Sequence, residues 1–154
     1  MEPTIIDRPA QPYMGIKGTV TMTSFAKIAD RIPELAGWLP AHGLQIVGAP
    51  FFRYYVIDMD GDLQLEVGFP VASTTEGEGD IKPGELPAGR YASVMHHGHP
   101  DGLKEVTADL LARDLAWDVR DDRWGARLEV FHTNPAEQPD WNEWDTELLF
   151  KLKD

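Results

Sequence analysis

There is no cysteine among the 154 residues. That removes disulfides, thiolate nucleophiles and cysteine-ligated metals, and leaves the redox compartment open. Long hydrophobic runs are also missing, since none approaches the roughly 20 residues that span a bilayer. The start, Met1-Glu2-Pro3-Thr4, lacks the basic-then-apolar order of a secretory signal. The expected location is therefore the cytoplasm. Basic residues are scarce, 14 against 26 acidic ones, for a net charge of −12. A surface of that sign repels phosphate backbones and anionic headgroups, so neither nucleic acid nor membrane is an expected partner.

Catalytic signatures are equally thin. His96, His97, His99 and His132 invite a metal reading, but neighbours on a strand point to opposite faces and no His-Glu-x-x-His is present. Ser93 lacks the Gly-x-Ser-x-Gly elbow. Gly77 and Gly79 are followed by no Lys-Ser or Lys-Thr, and their acidic neighbours would repel phosphate. No metal and no cofactor is expected.

What is present suits one soluble domain spanning residues 1–154, with 42% hydrophobic and 26% charged residues. Residues 12–22 read as a first strand, and Thr23 or Ser24 as a cap for a helix over residues 25–39. Its apolar side carries Phe25, Ile28, Ile32, Leu35, Trp38 and Leu39, with Pro33 at a break or first turn and Gly43 closing it. Strands over 48–59 and 63–69 flank Asp60-Gly61, a hairpin signal. Residues 73–79 are a polar, glycine-rich loop. A strand over 90–97, a helix over 103–115, a strand over 125–133 and a closing strand over 144–152 repeat the order. The fold class is α+β: duplicated strand–helix–strand–strand units (about 12–71 and 86–152) forming a mostly antiparallel sheet, with helices on one face.

Alternation along the strands predicts what the helix-free face carries. Leu128 and Val130 are matched to the helix side, which turns Glu129 and Phe131 outward. The same phasing places Tyr55, Leu149 and Tyr91 in the groove with Glu66 and Glu147. Arg53 reads as the partner of Glu66 across the hairpin, which leaves Glu129 and Glu147 without an obvious cation. Trp38 and Trp117 read as core. Trp124 or Trp144, rather than Trp141, is expected to wall the site.

Several motifs resemble the GyrI-like, or AraC-type effector-binding, family. They are Gly48-Ala49-Pro50-Phe51-Phe52-Arg53-Tyr54, Leu65-Glu66-Val67-Gly68-Phe69-Pro70-Val71, Leu86-Pro87-Ala88-Gly89-Arg90-Tyr91-Ala92, His97-Gly98, Leu128-Glu129-Val130-Phe131-His132-Thr133-Asn134-Pro135 and Trp144-Asp145-Thr146-Glu147-Leu148. The resemblance implies the same duplicated fold with a ligand cleft between the halves for lipophilic, frequently cationic aromatic compounds, with a buried Glu on the last strand, here Glu147, meeting the charge. It also implies two alternatives: a hydrolase opening cyclopropane rings with Glu147 and Glu129 or a Tyr, and a protein-interaction module like the gyrase inhibitors. Nothing before Pro12 holds a helix-turn-helix, so a separate transcription regulator is the expected protein partner. Phe131 and Asn134 stand where the family often has Tyr and Asp, which removes one hydroxyl from the expected ligand contacts.

Overall fold

A computed structural model describes residues 2–21, 24, 26–57, 61–134 and 136–153. Thr23, Phe25 and Asp60, assigned above to a cap, a helix face and a turn, lie outside the described residues, as do Met22, Met59 and Pro135. The described residues form ten strands: β1 (Thr4–Arg8), β2 (Gln11–Val20), β3 (Phe51–Ile57), β4 (Leu63–Pro70), β5 (Ile81–Leu86), β6 (Gly89–His97), β7 (Val119–Arg120), β8 (Arg123–Trp124), β9 (Arg127–Phe131) and β10 (Asp145–Lys151). The helices are α1 (Ala26–Ala29), α2 (Ile32–Ala41) and α3 (Leu103–Leu111).

The expected first helix is broken between α1 and α2. Pro33 sits in the first turn of α2, where its missing N–H is harmless but its ring bars a continuous helix from the preceding turn. At the other end Gly43 adopts φ +75°, and the Leu44 N–H donates to Leu39 O. This is the left-handed cap that glycine makes cheap.

The sheet runs β1-β6-β10-β9-β3-β4-β2-β5, with β8 pairing β3 and β7 off that path. Its pairings are antiparallel. β1 and β5, which the sequence pattern did not reveal, exchange sides: β1 pairs with β6 of the second repeat, and β5 with β2 of the first. Only Pro9 and Ala10 join β1 to β2, although six inter-strand steps separate them in the sheet order. Laid flat those steps would span roughly 29 Å, and the link reaches only about 11 Å. The sheet must therefore curl.

The curl closes one face around a single buried cluster of Tyr13, Phe51, Leu86, Tyr91, Leu128, Val130 and Leu149. The helix face instead carries two separate cores. Leu35 and Leu39 pack with Met14, Ile16, Leu65 and Val67 in one, and Leu103 and Leu110 pack with Val94, Leu148 and Phe150 in the other. Both faces of the central strands are thus apolar, which decides where the site residues lie.

Candidate functional site

Strand β9 is phased opposite to the sequence expectation. Leu128 and Val130 belong to the cluster on the face away from the helices, so Glu129 and Phe131 lie on the helix face. The tyrosines divide accordingly: Tyr54 joins Glu129 and Phe131, and Tyr55, at a bulge in β3, points to the other face beside Glu66. The physical reason is that a one-residue slip inverts every side chain, and apolar residues on both sides gave the pattern nothing to decide with.

What lies between the helices on their face of the sheet follows from where the helices sit. α1 and α2 cover β2 and β4, and α3 covers β6, with the central pair β3 and β9 between them. Phe52 packs edge-on against Phe131 at 4.8 Å and against Tyr54 at 6.3 Å. Beside these rings the Tyr54 hydroxyl donates to Glu129 Oε1 at 2.8 Å. Burial pushes the Glu129 carboxyl above its usual range, and the Tyr54 bond and nearby Arg127 only partly counter it. Burial, with Glu129 alongside, likewise pushes the Tyr54 phenol up. Arg127 stacks over Trp124 at 5.0 Å and Phe150 at 4.7 Å, and makes no ion pair with Glu129 among the described residues. Trp124 therefore packs into the α3 core with Trp117 and Phe150 rather than walling the opposite face. Trp144 stacks on Trp141 at 5.2 Å and donates Nε1 to Gln138 O.

On the opposite face the repeats place two carboxylates at equivalent positions. Glu66 stands between Lys17 and Arg53 in register, and Glu147 between Met95 and Val130. Glu66, 2% exposed, accepts from Tyr13 Oη at 2.5 Å and Tyr55 Oη at 2.7 Å. The expected Arg53 partnership is indirect: Arg53 Nη1 donates to Tyr13 Oη, and Nη2 to Gly125 O. Burial and then Glu66 push the Tyr55 phenol up to about 12. Glu147 accepts from Ser93 Oγ at 2.5 Å and His132 Nε2 at 2.8 Å, with its side chain 17% exposed. Leu149 and Tyr91 share this face with it but are fully buried.

Two adjoining cavities, about 410 and 260 Å³, share Lys17 and Tyr55 on this face, and neither is lined by Glu147. No group of three His, Asp or Glu side chains among the described residues is arranged to hold a metal ion. No described helix is long and apolar enough to cross a membrane. Sequence reasoning missed Phe52, Tyr13 and Lys17. For Phe52 a signal existed, in the four aromatics of Phe51-Phe52-Arg53-Tyr54-Tyr55, which supply a ring pair to each face.

A family model described as the GyrI-like small molecule binding domain matches residues 1–153. No curated protein matches the sequence. Among solved structures, the C-terminal domain of EcmrR is similar at 19% identity and TM-score 0.78, covering 99% of this chain and 98% of that one. Against EcmrR in its complex with DNA the identity is again 19% and the TM-score 0.81, with 97% of this chain covered but only 56% of that chain. The present chain thus spans little more than half of that protein. SAV2435, solved bound to tetraphenylphosphonium, is similar at 13% identity and TM-score 0.68, covering 99% and 94%. A hydrolase from Listeria innocua reaches 13% identity and TM-score 0.67, covering 99% and 92%. At such identities the likeness shows a common fold.

Proposed function

The chain belongs to the GyrI-like family of small-molecule binding domains, and on that premise we propose that it binds lipophilic aromatic cations over β3 and β9, between its helices. Glu129 supplies the counter-charge, and Phe52, Tyr54 and Phe131 supply the walls. The carrying observation is a carboxylate whose ionised form is penalised by burial, set among three aromatic rings and paired with no lysine or arginine among the described residues. A bound cation would draw off the proton and relieve that penalty, and each ring face adds about 0.5–2 kcal/mol of cation–π attraction. That SAV2435 was solved with a lipophilic cation supports the ligand class. The use would be sensing or sequestering a toxic compound.

The first test is a thermal-shift titration with tetraphenylphosphonium, because a ligand that binds only the folded state raises its apparent stability, by about 2.7 kcal/mol at a hundred times Kd. A flat response across lipophilic cations overturns the reading.

A second reading, hydrolysis, rests on Glu147. Its carboxylate lies between Ser93 and His132 and keeps partial access to solvent, an arrangement able to take a proton from water. Glu129 cannot assist there, because it lies on the other face. In this reading an electrophilic cyclopropane compound yields a ring-opened product by mass spectrometry, and Glu147→Gln abolishes it. One equivalent of compound protected without product favours the binder. The third reading, a protein-interaction module, predicts a purified partner that Glu129→Gln and Glu147→Gln variants still retain.

A further inference from the structure

The two equivalent carboxylate positions on the helix-free face are surrounded differently. Beside Glu147 stand Met95 and Val130, and the corresponding positions beside Glu66 are Lys17 and Arg53. The repeat architecture does not require these cations, which belong to the first half alone. They line the two adjoining cavities together with Lys82 and Arg123. Four of the 14 basic residues of an otherwise acidic chain therefore converge on one groove.

The acids in the same groove, Glu66, Asp80 and Glu85, offset them only in part. Asp80 is paired with Arg31 at 2.9 Å, and Glu66 is buried under the hydroxyls of Tyr13 and Tyr55. Glu85 is the only lining acid without a side-chain partner among the described residues. Lys17 and Lys82 are exposed and make no ion pair with a described residue. Lys17 Nζ lies 5.1 Å from the centre of the Tyr55 ring, and Arg53 4.9 Å from it. The Nε of Arg53 is buried without a hydrogen-bond partner among the described residues, an unusual state for a charged donor.

We infer that this groove is a second binding site, for a flat aromatic anion bearing a carboxylate, sulfonate or phosphate. The ring would lie along Tyr55 and Pro83, and the acid would meet Lys17, Lys82 and the Arg53 guanidinium. The cavity, at about 410 Å³, falls within the usual range for small-molecule sites. This site lies on the face away from Glu129 and takes the opposite charge, so it stands apart from the cation reading.

A matched pair of probes tests it, naphthalene-2-sulfonate and 2-naphthyltrimethylammonium, which share a ring and differ in charge. In calorimetry the sulfonate binds the wild-type protein and weakens as salt rises. The neutral replacements Lys17→Gln and Lys82→Gln together lower its affinity by about tenfold or more, since charge-assisted hydrogen bonds are lost. Both lysines are exposed, so the double variant keeps its unfolding transition. Its tetraphenylphosphonium response, measured in the same preparation, stays at the wild-type level if the two sites are separate. Failure of the sulfonate to bind, equal binding by the double variant, or preference of this groove for the ammonium probe overturns the inference, whatever the outcome for the cation site.

Discussion

Glu129→Gln lowers the affinity for tetraphenylphosphonium by roughly thirtyfold, which is about 2 kcal/mol. A cation held some 5–8 Å from this carboxylate at an effective dielectric near 20 would lose about that much attraction with the charge removed. Glutamine keeps the size of the side chain and an oxygen for Tyr54, so the aromatic walls stay in place. Calorimetry on the two proteins reads the difference directly. Wild-type binding should also fade as pH is lowered, beginning above the ordinary carboxyl value of 4.5 because burial raises that of Glu129; the Gln variant should lack this dependence.

The same substitution moves stability the other way. A carboxyl whose pKa is raised by folding holds its proton more tightly in the native state than in the unfolded chain. Its contribution is intact below the unfolded value and lost as pH rises through the folded one. The Gln variant therefore melts above the wild type at neutral pH, and the gap closes in acid. Equal melting temperatures at both pH values, with cation binding unchanged, would remove Glu129 from the site.

Tyr13→Phe destabilises the protein by about 2–4 kcal/mol. The lost hydroxyl leaves Glu66 with one donor instead of two and takes an acceptor from Arg53 Nη1. An unsatisfied buried polar group costs about 1–3 kcal/mol, more for a charged one. The ring has no room to shift, since Gly84 approaches so closely that a Cβ there would lie 2.5 Å from Tyr13 Cζ. Denaturant unfolding of Tyr13→Phe, Glu66→Gln and the double variant forms a cycle with an expected coupling of about 1–2 kcal/mol. Additive effects would show that the short Tyr13–Glu66 contact carries no energy.

Element order was readable because the long strands are rich in β-branched and aromatic residues and the turns between them carry their own chemistry. The hairpin register that sets Arg53 opposite Glu66 was readable too, as a local property of β3 and β4. What could not be read was anything fixed by distant pairing. Tyr13 reaches Glu66 only because β2 lies beside β4, and nothing in residues 11–20 announces that neighbour. The facing of β9 failed for a related reason: Leu128 and Val130 meet Tyr13 and Tyr91 rather than a helix, a consequence of the curl. Glu129 and Phe131 were rightly grouped with each other and assigned to the wrong side. β1 and β5 escaped notice because each is short, lies beside a strand of the opposite repeat, and is largely exposed.

That reciprocal exchange of leading strands bears on ancestry. Each half borrows an edge from its sibling, so a lone copy would leave one ribbon dangling and one border bare, a condition two identical chains could cure by trading arms. The present polypeptide has the connectivity expected if such a swapped pair had been fused end to end, after which each copy was free to acquire its own charges.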